Sequence, residues 1–375
     1  MYSYNVNTRI LIATGIHPPE IGGPATYSKL LADKLPERGI TIDVLPFRDV
    51  RGLPKIIRHI AYFIKVLNRG KNVDIIFAQD PVSVGFPAML AAKILQKRFF
   101  LKVVGDYAWE QGVQRFEVND LLDAFSKQRH GHPLLVRALK WVECRVAQYA
   151  EKIIVPSNYL KQIVTNWGID EQKINVVYNA FSVTETSERK EVLRRTLDLN
   201  GKIMVSVGRL VPWKGFGLLV ELIPELIKKN PELKLYIIGD GPEFYNLRGL
   251  IDTQKLNDRV FLLGKLPHDM VLKYLKAADL FVLNTGYEGF SHQLLEVMAS
   301  GTPLITTAVG GNTELITADE NGVLVGYNDK IGIKEGIEKI LSDKIFAGKI
   351  SANAQKRVQE FNEARMLQET VKQFI

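Results

Sequence analysis

A chain of 375 residues with 49 Lys+Arg against 41 Asp+Glu carries a formal charge of +8. At roughly 100–200 residues per domain this is a two-domain length, and 46% apolar with 24% charged residues excludes disordered, collagenous and low-complexity classes. The excess charge is uneven: residues 1–180 hold 24 basic and 16 acidic side chains, whereas residues 181–375 hold 25 of each.

The opening stretch MYSYNVNTRILIAT lacks a charged region followed by a removable apolar run, so no signal peptide is expected. The longest uncharged run, Val297 to Thr313, carries Gly, Pro and Thr and does not suit a membrane span. One cysteine, Cys144, rules out an internal disulfide or a Cys-rich metal site and suits a reducing cytosol.

Short β-branched runs alternating with amphipathic segments predict strands at 9–14, 41–46, 73–78, 99–104, 152–155 and 175–177. Helices are predicted between them near 25–38, 54–69, 84–97, 134–150 and 157–167. The polar stretch 181–191, FSVTETSERKE, reads as a linker. The rhythm resumes with strands at 202–207, 234–238, 259–263, 280–283, 303–306 and 322–325. Helices are predicted near 215–229, 242–255, 268–277, 291–300 and 331–342. Continuous apolar strands covered by helices imply parallel sheets. The expected architecture is therefore α/β, with two tandem doubly wound, Rossmann-like domains at 1–181 and 190–362 facing across a cleft. The helical pattern at 363–375 either finishes the second domain or packs back on the first.

No G-x-G-x-x-G opens a helix after the first strand, and no P-loop, Asp-x-Asp or HExxH occurs. Dinucleotide oxidoreductases and P-loop NTPases are therefore disfavoured, and no metal cofactor is expected. The informative segments lie where strands end. Gly22-Gly23-Pro24 follows the first strand, where glycine lets a ligand approach the backbone. In Val207-Gly-Arg209-Leu-Val-Pro-Trp-Lys214-Gly215, a guanidinium and an ammonium stand five residues apart at a helix start, a pairing suited to a diphosphate. In Glu288-Gly-Phe-Ser-His-Gln-Leu-Leu-Glu296, one acid lies in a loop and the other on a helix, four residues after His292. Each carboxylate can accept hydrogen bonds from two vicinal hydroxyls of a sugar.

Gly239-Asp240-Gly241-Pro242 and Gly310-Gly311-Asn312 form two further turns, and Pro242 is expected at a helix's first position. Asp106 ends a first-half strand, where it could face the cleft, and Trp109 could stack on a sugar. In the helix near 54–69, Ile56, Ile57, Ile60, Phe63, Ile64 and Leu67 share one stripe, expected to pack on the sheet. Lys55, Arg58, Lys65 and Arg69 would then face outward, available to an anionic leaflet.

On VGRLVPWKG at 207–215 and the E-x7-E spacing of EGFSHQLLEVMASGTPLI at 288–305, the chain resembles the retaining group 1 glycosyltransferases of the GT-B fold. GGPATYSKLLADKL, IIGDGPE and GGNTELI, in the same order, support it. The resemblance implies a nucleoside diphosphate sugar as donor substrate. Arg209 and Lys214 would then neutralise the diphosphate and Glu296 hold the ribose. Glu288 with the amides of Gly289, Phe290 and Ser291 would bind the transferred sugar, and the amides of Leu294 and Leu295 would approach the phosphates. Gly22 and Gly23 would lie beside donor phosphate and acceptor, Gly239 would line the site, and Lys265 and Leu266 would frame the base.

Two departures from the pattern are visible. Asp106 follows the strand that usually leads to a sugar-contacting histidine, so either Asp106 takes over that contact or the acceptor geometry differs, and Asn179-Ala180 replaces an Asn-Gly. The implied catalytic set is Glu288, Asp106, Arg209 and Lys214, with domain closure excluding water. A glycan or lipid-linked acceptor is expected, nucleic acid is not, and the location is cytoplasmic or peripheral at an inner membrane face. The alternatives are a non-catalytic sugar-nucleotide-binding subunit and a GT-B sugar-nucleotide epimerase.

Overall fold

The computed structural model describes residues 8–20, 22–128, 131–181 and 188–375, apart from the Lys55 side chain. Two compact units are present, Met1–Asn179 with Ala364–Ile375 and Ala180–Glu363.

The first unit runs β1 (Thr8–Thr14), α1 (Gly23–Lys34), β2 (Ile40–Pro46), α2 (Lys55–Gly70), β3 (Ile75–Ala78), α3 (Gly85–Leu95) and β4 (Arg98–Lys102). It continues with α4 (Tyr107–Arg115), α5 (Leu122–Lys127), α6 (Leu134–Tyr149), β5 (Lys152–Val155), α7 (Asn158–Asn166) and β6 (Ile174–Val176). The strands form one parallel sheet in the order β2-β1-β3-β4-β5-β6. Ile10, Ile12, Ile76, Phe77 and Phe100 are fully buried, as expected of strands covered on both faces. The chain leaves β1 in one direction and from β2 onward travels in the other. Right-handed crossovers therefore put α2, α3 and α6 on the face opposite α1.

The second unit runs α8 (Lys190–Thr196), β7 (Lys202–Val207), α9 (Phe216–Lys229), β8 (Leu233–Ile238), α10 (Phe244–Thr253), β9 (Val260–Leu262) and α11 (His268–Ala277). Next come β10 (Leu280–Leu283), α12 (His292–Ser300), β11 (Leu304–Thr307), α13 (Asn312–Leu315), β12 (Val323–Val325), α14 (Lys330–Ser342) and α15 (Lys344–Val358). Its parallel sheet has the order β12-β11-β10-β7-β8-β9. Leu219, Val220, Leu222, Ile223 and Leu226 of α9 are buried in a core shared with Met204, Leu235 and Ile237.

A last helix, α16 (Glu363–Phe374), falls almost wholly in the first unit. The Phe374 ring lies 5.3 Å from that of Phe77 and 5.9 Å from that of Phe100. The Tyr27 hydroxyl lies 3.3 Å from Thr370 Oγ1, so α1 and α16 share one face of the sheet.

Several local expectations are corrected. The helix expected over 25–38 ends at Lys34, and Pro36–Arg38 forms a separate 3-10 turn, because proline withholds the amide a continuing helix needs. Pro242 lies before α10 and is not its first residue, since Glu243 is the cap. Residues 182–187 of the expected linker lie outside the described residues, while Lys190 and Glu191 already belong to α8.

The largest correction concerns α2. Its apolar stripe does not pack on the sheet: Ile56, Ile57, Ile60 and Ile64 are 78%, 53%, 54% and 50% exposed. The inward face is instead set by Tyr62 and Val66, both fully buried, and the Tyr62 hydroxyl donates to Leu45 O at 2.7 Å.

Candidate active site

In a parallel sheet the loops beyond the carboxyl ends of all strands share one edge, and ligands favour the point where strand order reverses. In the second unit that point lies between β7 and β10. The loops that leave these two strands are 208–215 and 284–291, the segments that carry Arg209, Lys214 and Glu288.

Hydrogen bonds stitch the two loops together. The Gly286 amide donates to Trp213 O at 2.7 Å and the Asn284 Nδ2 to Gly215 O at 2.9 Å. Asn284 also donates to Asn328 Oδ1 at 2.8 Å and accepts from the Asn328 amide at 3.0 Å. Gly215 has φ 51°, and a Cβ there would lie 2.2 Å from Asn284 Nδ2, so both backbone and packing require glycine. With the loops in this register, Lys214 Nζ forms an ion pair with Glu288 Oε1, and their side chains are only 11% and 12% exposed. Arg209 is exposed on the same loop as Lys214.

Further glycines close the surround. A Cβ at Gly239 would fall 1.9 Å from Gly208 O, and one at Gly310 would fall 2.1 Å from Glu288 O. The Gly311 amide donates to Glu288 O at 2.9 Å, so the 310–314 turn braces the backbone that bears Glu288. Asn312 anchors this turn from beneath, its Nδ2 donating to Thr306 Oγ1 at 3.0 Å and to Thr307 O at 3.2 Å.

Ser291 caps α12, its Oγ accepting from the Leu294 amide at 3.3 Å, and the Leu295 amide donates to Ser291 O. The Leu294 and Leu295 amides, expected to approach phosphates, are thus engaged within the helix, and both side chains are buried. Gly289 and Phe290, both buried, lead into this positive helix end. Glu296 lies one turn further along, where His268 Nε2 meets its Oε1 at 2.9 Å. That contact raises the His268 pKa, against the opposing effect of desolvation. Lys265 is exposed and Leu266 half-buried in the loop after Gly264, whose carbonyl accepts from the Gly239 amide at 2.9 Å.

In the first unit the strand order reverses between β1 and β3. Gly22 is the N-cap of α1 with φ 155°, and Gly23 begins the helix, both in the loop leaving β1. Asp80, in the loop leaving β3, accepts from the amides of Val82, Ser83 and Val84 at 2.8, 2.5 and 3.3 Å. Burial nonetheless pushes its pKa up to about 6.

Asp106 does not turn toward a ligand, contrary to expectation. It is fully buried and caps α4, one carboxylate oxygen accepting from the Trp109 amide at 2.8 Å and the other from Trp167 Nε1 at 3.1 Å. A carboxylate spent on two interior donors cannot also reach a sugar. Glu143, also buried, stands beside it, accepting from the Tyr107 amide at 2.7 Å. Burial raises both carboxyl pKa values, Glu143 well above its ordinary range. Trp109 is 1% exposed and donates to Asp120 O, so it does not offer a stacking face.

Sequence pattern missed Asn284, Asn328 and His268. Each matters through a partner 28 to 69 positions away, and an isolated Asn after a strand was the only local sign. Among the described residues no group of three or more His, Cys, Asp or Glu could hold a metal ion.

The two doubly wound units and their switch-point loops define an α/β protein of the GT-B fold. Family comparison agrees: residues 188–357 match the description "Glycosyl transferases group 1" and residues 21–185 match "Glycosyltransferase Family 4". The chain belongs to the group 1 glycosyltransferases.

An uncharacterized glycosyltransferase of Methanocaldococcus jannaschii is 32% identical over 56% of this chain and 55% of its own length. An α-N-acetylgalactosaminyltransferase of Campylobacter jejuni, named for a diphospho-undecaprenol substrate, is 27% identical over 59% of each chain. The match thus spans only about half the length of these relatives. Among solved structures, Anabaena HepE with UDP and glucose aligns at TM-score 0.78, with 18% identity over 98% of this chain and 99% of its own. The same protein with UDP-glucose aligns at 0.75 with 19% identity, over the same shares of the two chains.

Proposed function

We propose that this protein transfers a sugar from a nucleoside diphosphate sugar to an acceptor hydroxyl with retention of anomeric configuration. The observation that carries this reading is the Lys214–Glu288 pair at the β7/β10 switch point, beside the N-terminus of α12. Arg209 and Lys214 would stabilise charge that grows on the departing diphosphate. Glu288 would accept hydroxyls of the transferred sugar, and Glu296, steadied by His268, those of the ribose. UDP and UDP-glucose complexes of the Anabaena protein support a sugar nucleotide as donor. Relatives named for a diphospho-undecaprenol substrate and for lipopolysaccharide core synthesis support a lipid-linked or surface glycan as acceptor, with the protein peripheral at a membrane.

A donor panel screened by thermal shift, followed by NMR of the product's anomeric proton, tests the reading. No stabilisation by any sugar nucleotide would remove it, and an inverted product would remove retention.

A second reading, a sugar-nucleotide-binding subunit without activity of its own, draws on the burial of Asp106 where the family pattern has a sugar-contacting histidine. Donor binding with neither turnover nor donor hydrolysis would favour it. Sugar interconversion with no acceptor present would favour an epimerase.

A further inference from the structure

The outward face of α2 carries Ile56, Ile57, Ile60 and Ile64, each at least half exposed, with Leu53 just before the helix. The neighbouring α3 adds Leu90 and Ile94, and α6 adds Leu134, Leu135 and Trp141. All three helices lie on the same face of the first sheet, with α3 packed against both α2 and α6, so these side chains share one face of the unit. Soluble surfaces usually interleave both signs of charge and limit contiguous apolar patches. This face does neither. Neither α2 nor α3 contains an acid, and the one acid of α6, Glu143, is buried. The exposed charges on the three helices are cations, among them Arg69, Lys93, Arg137 and Arg145. Two cations of α2 find partners only at its margin, Lys65 4.0 Å from Asp49 and Arg69 3.2 Å from Asp43. Arg145 lies 5.6 Å from the Trp141 ring, an amphipathic pair of the kind that settles at a lipid–water boundary.

We infer that the α2–α3–α6 face is a membrane-insertion surface, occupied by the headgroup and upper acyl region of an anionic bilayer leaflet. An interfacial helix buries its apolar side chains in the acyl boundary while flanking Lys and Arg meet lipid phosphates. The charge pattern selects this occupant over a second copy of the chain. A two-fold contact would bring the same acid-free cationic surfaces against each other, and like charges across an interface repel. The inference rests on the proposed peripheral attachment to a membrane, whereas the surface lies outside the donor-site loops, so it stands or falls separately from the proposed sugar transfer. It makes insertion, more than electrostatic attraction, the source of binding.

Co-sedimentation of the full chain with phosphatidylcholine vesicles, with and without phosphatidylglycerol, tests the inference. The chain is expected to bind the anionic vesicles and to keep part of that binding in high salt. Acyl-chain bromination is expected to quench the exposed Trp141 and spare the buried Trp109, Trp167 and Trp213. The double variant Ile56→Ser/Ile60→Ser should lower vesicle partitioning on the order of ten-fold, with the melting temperature and donor-induced thermal shift retained. Ile331→Ser, at an equally exposed position of the second unit, should bind as the unaltered chain does. Absent vesicle binding, or binding indifferent to the serine pair, would overturn the inference. So would a concentration-dependent dimer that the serine pair dissolves, which would assign the face to a second copy. Because donor binding is measured on the same variants, failure here leaves the sugar-nucleotide reading intact.

Discussion

Helices α9 and α2 both cover a parallel sheet, and both carry an apolar stripe, yet they spend it in opposite directions. In α9 the stripe is consumed by the core, with Leu219, Leu222, Ile223 and Leu226 fully buried. In α2 the core takes Tyr62 and Val66, and the isoleucines are left to the outside. Periodicity reports that a stripe exists. Which side becomes the interior is decided by the sheet beneath, here by the fit of a Tyr62 hydroxyl against a β2 carbonyl. The units differ likewise in charge, since the second is balanced and the surplus belongs to the first. One unit is built around a polar site, its exposed apolar side chains Val192, Tyr245, Ile331 and Ile345 lying on four different helices; the other displays apolar and cationic surface together.

The sharpest way to break this comparison is truncation on both helices. Leu219→Ala should cost about 2–5 kcal/mol through lost burial and a residual cavity, whereas Ile60→Ala should change stability by less than about 0.5 kcal/mol. Chemical denaturation measures both, and equal losses would erase the distinction.

Next in size, Arg209→Ala and Lys214→Ala should each lower transfer by roughly one to two decades, the worth of a charge-assisted hydrogen bond. Steady-state kinetics with the identified donor checks this, and unchanged rates in both variants would refute the diphosphate assignment.

A smaller effect is expected in the first unit. Asp106→Ala should cost roughly 1–3 kcal/mol by removing a helix cap and the partner of Trp167 Nε1. Asp106→Asn should keep much of the cap. The folded state raises the pKa of Asp106 and Glu143, so it holds protons that the unfolded chain releases. Their contribution is full below the ordinary carboxylate range and is lost as pH rises through the raised values. Stability measured across that window should fall less steeply with pH in Asp106→Asn than in the unaltered chain.

The smallest expected effect is at His268. Its pKa is raised by Glu296, so the charged pairing is present at low pH and is lost as pH climbs through the raised value. His268→Gln should raise the donor KM a few-fold, leave kcat unchanged and flatten the pH dependence of KM. A change confined to kcat would show that His268 does not act by positioning Glu296.

The strands were legible because buried parallel strands are continuous apolar runs, and their ends agree with the structure to within about two residues. The order of strands was not legible. The same β–α rhythm yields a reversal between β1 and β3 in one unit and between β7 and β10 in the other. Helices α4 and α5 escaped notice because the segment from Tyr107 to Lys127 mixes acids, aromatics and Gly112 without a clear period. Helix α15 escaped for a similar reason, since Ile350, Ala354 and Val358 form a thin stripe of small and medium side chains. In the site, the charged and glycine-rich loops stood out because local chemistry marks them. The Asn284–Asn328 and His268–Glu296 pairs did not, because each needs two distant loops in register. The burial of Asp106 was hidden for the same reason: its acceptors are filled by Trp167 as well as by its own helix.

Helix α16 has a consequence for how the molecule is made. Phe374, which fills the space beside Phe77 and Phe100, is synthesised after every residue of the second unit. During translation the first unit, begun earlier, therefore lacks one wall until every residue of the second has been added. The usual order, in which the N-terminal domain finishes before the next is made, is not open to this chain. A released chain that ended before residue 363 would expose the aromatic floor of its first sheet to chaperones, although it holds every core residue of the later-made unit.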